Sequence, residues 1–112
     1  MLNKDHQYDL IDIISSMKIS DSRDDNFCLY GEVDELLKAD GKYYIADYPD
    51  VDDNDNEIYP KIVYSKKLHY LYSGQQFADV IDTVIEQKPS ASIDDFVKAL
   101  NYYSVNDDFL DL

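Results

Sequence analysis

The most chemically distinctive part of the chain is an acidic run at residues 47–57, which reads Asp-Tyr-Pro-Asp-Val-Asp-Asp-Asn-Asp-Asn-Glu. The run carries six carboxylates and no basic residue, and so contributes −6 to a net charge of −14. Carboxylates at this density either bind a cation such as calcium or pair with lysine and arginine side chains of another protein. Pro49 and the high Asp and Asn content predict that the run is a loop.

The spacing of these acids does not fit the calcium-binding loop of an EF-hand. That loop needs a glycine at its sixth position and a glutamate at its twelfth. Counted from Asp50, those positions hold Asp55 and Lys61, and a count from Asp52 fails at both positions as well. We therefore predict no metal site, and we favour a protein-binding loop over a loop that is only solvated.

Tyrosine is the second unusual feature, with 11 Tyr against 4 Phe and no Trp. A tyrosine offers a large apolar ring with a polar hydroxyl, and its ring face attracts cations, so tyrosines beside aspartates suit the binding of lysine and arginine. Any one of them also fits an ordinary position in a small sheet. The predicted partner-binding residues are Asp47, Tyr48, Asp50, Asp52, Asp53, Asp55, Glu57 and Tyr59.

No residue pattern in the chain predicts catalysis. His6 and His69 have no second His or Cys at the spacing of a metal site, and the chain has a single arginine, Arg23, for binding an anionic substrate. A glycine-rich phosphate loop and a serine nucleophile elbow are both absent from the sequence. Cys28 lies in an apolar run, which indicates a buried structural thiol in a reducing compartment. We predict no enzyme activity, no catalytic residue, no metal and no cofactor.

The overall charge excludes several kinds of partner. With 24 acidic and 10 basic residues, the chain is repelled by phosphate backbones and by anionic membrane surfaces. Its N-terminus has no apolar signal-peptide region, and no apolar run approaches the ~20 residues that span a bilayer. We therefore predict a cytoplasmic protein that binds neither nucleic acid nor membrane.

The elements that position these residues are predicted to form one domain over residues 1–112, because this length suits a single core. Apolar spacing predicts a first helix over 8–18 with Asp5 as its N-cap, which the polar stretch at 20–26 ends. The apolar run at 27–30 predicts a buried strand. The remaining extended segments are a hairpin of 33–39 with 42–48, a sheet-edge segment at 58–64 that contains Pro60, and a strand at 68–72.

Two amphipathic helices are predicted in the last third of the chain. Ser73 with Gln76, and Ser92 with Asp95, have the spacing of helix-capping pairs, and Pro89 ends the first of the two helices. Their apolar stripes need a surface to cover them, which the strands supply. The predicted fold is α+β, with an N-terminal helix, a small mostly antiparallel sheet and two C-terminal helices packed on the sheet.

Several segments together resemble a family of small acidic bacterial proteins. They are the run at 27–30, the strand ending at 44–48, the acidic run with Pro60 after it, and the closing segments 96–103 and 106–109. The resemblance covers residues 26–110. Members of that family are of largely unassigned function, and some look like immunity proteins encoded beside contact-dependent growth-inhibition or polymorphic toxins. The resemblance implies no catalytic residues.

Three hypotheses follow for the function. The first is a cytoplasmic immunity protein that binds and neutralises a cognate toxin domain, a basic nuclease, through the acidic run and its tyrosines. The second is a nucleic-acid mimic that inhibits a DNA-binding defence nuclease of the restriction or CRISPR type, and the third is an adaptor whose acidity only keeps it in solution. A mimic needs carboxylates spread along a track. The concentration of charge in one run favours the first hypothesis.

Overall fold

The computed structural model describes residues 2–18 and 24–112 and has the α+β architecture predicted above. Its elements, in chain order, are β1 (His6–Asp9), α1 (Leu10–Met17), β2 (Cys28–Gly31), β3 (Lys42–Ala46), β4 (Asp50–Val51), β5 (Glu57–Ile58), α2 (Lys61–Ser65), β6 (His69–Ser73), α3 (Gly74–Gln87) and α4 (Ile93–Asn106). Four strands form an antiparallel sheet in the order β1-β3-β2-β6, and β4 pairs with β5 in a separate hairpin.

The sheet separates two apolar clusters because side chains alternate along its strands. Leu29 in β2 contributes to the main core, which includes buried residues of α1, α3 and α4. Its neighbours Cys28 and Tyr30 belong to a smaller cluster, together with Val63 of α2 and Leu68. Both clusters meet on β2, which explains why all four of its residues are buried. The predicted strand at 27–30 and the buried, free Cys28 are confirmed.

A β-bulge between β2 and β6 places Tyr70 and Tyr72 on different faces of the sheet. Tyr70 pairs with Tyr30, and Tyr72 pairs with Leu29, so Leu71 is an extra residue between the two pairs. Without that extra residue, Tyr70 and Tyr72 would lie on the same face. With it, Tyr72 is buried in the main core while the Tyr70 ring packs edge-on against Tyr30, with 5.8 Å between their ring centroids.

Both C-terminal helices begin where the capping pattern predicts. The Ser73 hydroxyl accepts a hydrogen bond from the Gln76 backbone N–H at 3.2 Å. At Ser92 the capping box is complete: its hydroxyl accepts from the Asp95 N–H at 3.2 Å, and the Asp95 carboxylate accepts from the Ser92 N–H at 3.0 Å. α3 ends shortly before Pro89, as predicted.

The first helix, predicted over 8–18, is wrong at its N-terminal end. The helix begins at Leu10 with Asp9 at its N-cap, and the four residues before it form β1. Pairing of β1 with β3, which places Tyr8 opposite Tyr43, outweighs the local helical pattern. Asp5, the predicted N-cap, has a φ of 66° and lies outside the helix. Of the polar stretch predicted to end the helix, residues 20–23 lie outside the described part of the chain.

The predicted hairpin of 33–39 with 42–48 is also wrong. β3 is flanked by β1 and β2, so both of its edges are occupied and the segment before it forms no strand. That segment is held instead by the side-chain amide of Asn101. The Leu37 backbone N–H donates to Asn101 Oδ1 at 2.8 Å, and Asn101 Nδ2 donates to the Leu37 carbonyl at 2.9 Å.

Replacing Asn101 with alanine is expected to destabilise the protein. Leu37 is buried, so both of its backbone groups would lose their partners, at a cost of about 2 kcal/mol in the free energy of unfolding. Asn106→Ala is the matched control, since Asn106 makes one exposed bond to Tyr102 on the same helix. Urea denaturation of the two variants measures the difference. Equal stability of the two variants would refute this role of Asn101.

The sheet-edge segment predicted at 58–64 is a further error. Only Glu57–Ile58 is extended, and it pairs with β4 rather than with the main sheet. Pro60 is the N-cap of α2, where its missing N–H costs nothing, and its carbonyl accepts from the Val63 N–H at 2.9 Å. Burial of Val63 against the smaller cluster stabilises this short helix, whereas its local sequence does not.

Candidate partner-binding surface

The acidic run forms an ordered β-hairpin rather than an irregular loop. Asp50 lies opposite Ile58 and Val51 lies opposite Glu57 in a short antiparallel ladder. We call residues 50–58 the acidic hairpin. Its tip is closed by a backbone hydrogen bond from the Asp52 N–H to the Asn56 carbonyl at 3.0 Å.

Asp52 organises the tip of the acidic hairpin. Its Oδ1 accepts from the backbone N–H groups of Asn54, at 2.8 Å, and Asn56, at 2.9 Å, and its Oδ2 accepts from the Asn56 side chain at 3.4 Å. Asp55 adopts a left-handed conformation with φ 63°, which aspartate tolerates in turns. The N–H groups of Asn56 and Asn54 stabilise the charged form of Asp52 and hold its pKa below the ordinary aspartate value.

The depressed pKa of Asp52 predicts how the tip responds to acid. A group whose pKa is lowered by folding contributes its stability above its unfolded pKa and loses that contribution as pH falls through the folded value. We therefore expect the amide NMR signals of Asn54 and Asn56 to shift together at a pH below the ordinary aspartate range. Asp52→Asn, which keeps an acceptor oxygen but cannot titrate, should abolish this shift. A shift centred at or above the ordinary value would contradict the assignment.

Three carboxylates of the acidic hairpin remain available to a partner. Asp50, Asp53 and Asp55 are exposed, and none of their side chains hydrogen-bonds or ion-pairs with another residue in 2–18 or 24–112. They project from a backbone that the Asp52 contacts already hold in place. A partner therefore meets preformed negative charge, and little ordering is needed on binding.

The other two predicted acids are engaged within the protein. Asp47 forms an ion pair with Lys4 at 2.5 Å and raises the pKa of that lysine. Glu57 accepts a hydrogen bond from the Tyr59 hydroxyl at 2.5 Å, which raises the pKa of Tyr59. Both acids add to the local negative potential, but binding a partner lysine directly would compete with these contacts.

The two predicted tyrosines lie on either side of the acidic hairpin and contact other parts of the protein. The Tyr48 hydroxyl donates to the Asp25 carbonyl at 3.4 Å and accepts from the Gln75 N–H at 3.2 Å. The half-buried Tyr59 packs its ring edge-on against Tyr30, with 6.2 Å between centroids. The structure thus gives Tyr48 and Tyr59 internal contacts, and their role in partner binding stays a prediction.

Exposed apolar side chains that the sequence analysis did not select lie beside the acids. Val51 and Ile58 are 62% and 46% exposed on the acidic hairpin itself, and Tyr64 on α2 is 58% exposed. Apolar residues next to charges are typical of protein interfaces, where they supply most of the contact energy. The sequence feature that could have identified Val51 as an interface residue is that it is a single apolar residue within an acidic run.

Tyr30 anchors the connection from the sheet to the acidic hairpin. It is fully buried, and its hydroxyl donates to the Asp47 carbonyl at 2.7 Å. Burial raises the pKa of Tyr30, and it also raises the pKa of the neighbouring Cys28 to about 11. The protonated thiol agrees with the structural role predicted for Cys28, because thiolate is the reactive form.

A basic segment borders the acidic hairpin on one side. Residues 59–78 contain Lys61, Lys66 and Lys67 and no acid. The three lysines are exposed and form no ion pair among the described residues, although the Lys66 ammonium lies 5.9 Å from the centroid of the Tyr44 ring. The run of negative charge therefore ends with the acidic hairpin and does not continue into the segment that follows it.

Metal-binding clusters and membrane-spanning helices are both absent from the described residues. No group of three or more His, Cys, Asp or Glu side chains in 2–18 and 24–112 is arranged to hold a metal ion. None of the helices in the same residues is both long enough and apolar enough to cross a membrane.

The fold and this surface define a small α+β protein that presents a preformed acidic hairpin. A family model described as a domain of unknown function (DUF7716) matches residues 8–112, and the chain belongs to that family. No match was found among curated proteins or among solved structures. Membership agrees with the predicted resemblance to a family of unassigned function, and it does not connect the chain to immunity proteins.

Proposed function

We propose that this protein is a cytoplasmic immunity protein that binds and neutralises a cognate toxin domain, a basic nuclease, through the acidic hairpin. The proposal is carried by one observation. Three exposed carboxylates, on Asp50, Asp53 and Asp55, have no partner in the described residues and lie on a hairpin whose conformation is already fixed by Asp52.

The chemistry of a nuclease suits this surface. A nuclease presents lysine and arginine side chains to the phosphates of its substrate, and carboxylates can occupy the same positions. Opposite charges also accelerate encounter, so that a small amount of inhibitor captures its target quickly. Val51 and Ile58 would then add apolar contact area beside the ion pairs.

Mimicry of nucleic acid is the second hypothesis, and the charge distribution favours it less. Duplex DNA carries one negative charge per ~1.7 Å of its axis, so a mimic needs a long, uninterrupted acidic track. Here the basic segment at 59–78, whose three lysines form no ion pair within residues 2–18 and 24–112, directly follows the acidic hairpin. The observed charge suits a compact basic site better than a DNA-binding groove.

Affinity capture at low salt is the test of the proposal. The tagged protein and the variant D50N/D53N/D55N are each incubated with lysate of the native host expressing its toxin genes, and bound proteins are released by increasing salt. We expect the wild type, and not the variant, to retain a small basic toxin domain. D79N/E86Q/D111N is the matched control, because it removes the same charge from exposed acids elsewhere.

The captured toxin domain is then expressed in cells with and without the protein. Protection of growth by the wild type and by D79N/E86Q/D111N, but not by D50N/D53N/D55N, is the expected result. Capture of a restriction or CRISPR component would favour mimicry instead. Capture of no toxin domain, or full protection by the hairpin variant, would refute the proposal.

A further inference from the structure

Strand β6 lies at one outer edge of the four-stranded sheet. It pairs only with β2, so one side of its backbone faces away from the sheet. Within residues 2–18 and 24–112, the backbone of His69–Tyr72 forms no hydrogen bond outside that pairing, whereas Ser73 at the end of the strand is the N-cap of α3. An edge with unpaired N–H and C=O groups is a template for a further strand.

The β6 edge has few of the features that keep sheet edges from pairing. Its sequence, His-Tyr-Leu-Tyr-Ser, contains no lysine, proline or acid, and its bulge is the one protective feature. The opposite edge strand, β1, differs because it carries an acid, Asp9, within the strand itself. A lysine precedes each strand by two residues, Lys4 before β1 and Lys67 before β6, so only the charge within the strand distinguishes the two edges. The two edges of the sheet are therefore unequal, and β6 is the one suited to pairing.

A groove runs beside this open edge. Two adjoining cavities, of about 450 and 140 Å³, both have residues 70–72 as one wall. Helix α4 forms the opposite wall, where Ser104 lines both cavities and Asn101 lines the larger one. Leu36 and Val105, which are 55% and 67% exposed, stand at its rim. The groove offers space for the side chains of an added strand.

The charged residues that line the groove, among those the structure describes, are all acidic. Its lining includes Asp34, Glu35 and Asp107 and no basic residue. Asp107 follows the last turn of α4, which contains no basic residue, so the negative end of the helix dipole adds to the attraction for a cation. The pairing of Glu35 with Lys38 at 3.6 Å is exposed and weak. The chemistry of the lining therefore selects a segment that carries lysine or arginine.

We propose that β6 binds an extended, basic segment of a partner protein as a fifth strand of the sheet. Main-chain hydrogen bonds to the open edge would supply affinity, as in other cases of strand addition. Apolar side chains of the segment would enter the groove beside Leu71 and Val105, and its basic side chains would lie near Asp34 and Asp107. This surface uses other residues than the acidic hairpin, so the proposal does not depend on the proposed function.

A displayed library of random linear peptides, selected on the full-length protein, tests this proposal. Synthetic copies of the enriched peptides are then titrated against the wild type, S104R and S90R. S104R places a bulky cation in the groove, and S90R is the matched control because Ser90 lies in an exposed turn between α3 and α4. A further sample, D50N/D53N/D55N, shows whether the peptides bind the acidic hairpin instead.

The enriched peptides are expected to alternate apolar with basic residues and to bind S104R at least about tenfold more weakly than S90R, a loss of about 1.4 kcal/mol. They should also slow hydrogen exchange of the amides of residues 70–72 and bind D50N/D53N/D55N with at least half the wild-type affinity. Equal affinity for S104R and S90R would overturn the proposal. So would a greater loss on D50N/D53N/D55N, or the absence of any enriched peptide.

Discussion

Replacing Gly74 with alanine is expected to lower the free energy of unfolding by about 3 kcal/mol, because a new methyl group would collide with backbone. Gly74 is the first residue of α3, and its N–H donates to the Phe27 carbonyl at 2.7 Å. A Cβ atom there would lie 2.5 Å from the Phe27 oxygen and closer still to the Asp25 oxygen. Neither carbonyl can move without displacing the segment that leads into β2.

Gly31→Ala is the matched control for this prediction. Its new Cβ would also be crowded, at 2.6 Å, but the neighbouring atom is the Cδ1 methyl of Leu71, which can rotate away. The expected loss in the free energy of unfolding is below about 1.5 kcal/mol, which is at the low end of the cost of adding a methyl group to a packed interior. Thermal and urea denaturation measure both variants. Similar stability of the two variants would contradict the prediction, because it would show that the start of α3 can shift to make room for the new methyl group.

Tyr30→Ala is expected to destabilise the protein by about 4 kcal/mol, since it removes a fully buried aromatic ring. The ring packs edge-on against Tyr59 and Tyr70, so its loss would leave a cavity beside α2 and beside Tyr59, which follows the acidic hairpin. Tyr30→Phe keeps the ring and removes the hydroxyl, which donates to the Asp47 carbonyl. That variant should lose about 1 kcal/mol.

These two substitutions separate the contribution of packing from that of the hydrogen bond. Denaturation gives the stability of each variant, and hydrogen exchange at residues 50–58 shows whether the acidic hairpin stays ordered. In Tyr30→Phe, the amides of residues 50–58 should exchange as slowly as in the wild type. In Tyr30→Ala, they should exchange faster because the acidic hairpin is no longer held in place. A stability loss from Tyr30→Phe as large as that from Tyr30→Ala would contradict the dominance of packing.

The sequence predicted the elements whose signals are local. Ser92 with Asp95 is a capping pair that the chain forms with itself, so the start of α4 followed from spacing alone. Ser73 and Pro89 marked α3 for the same reason. The fold class followed from these helices and from the apolar runs at β2 and β6.

The elements that the sequence did not predict depend on distant residues. β1 forms because it pairs with β3, more than 30 residues away along the chain, as Tyr8 opposite Tyr43 shows. α2 depends on burial of Val63 against Tyr30, which spacing does not reveal. At the candidate site, composition located the acidic run, but only the hydrogen bonds of Asp52 separate a carboxylate that builds the turn from those left exposed.

The rate at which the protein associates with its captured partner tests the central claim most directly. Stopped-flow measurements over a range of salt concentrations compare the wild type, D50N/D53N/D55N and the control D79N/E86Q/D111N. Because Asp52 is retained, the acidic hairpin keeps its conformation while its free charge is removed. Unchanged unfolding curves confirm this before any rate is compared.

If the acidic hairpin steers a basic partner, D50N/D53N/D55N should associate at least about tenfold more slowly than the wild type at low salt, and the difference should shrink as salt screens the charges. The control variant should remain within about twofold of the wild type, since its charges lie away from the interface. Equal association rates for the wild type and D50N/D53N/D55N at low salt would contradict the account.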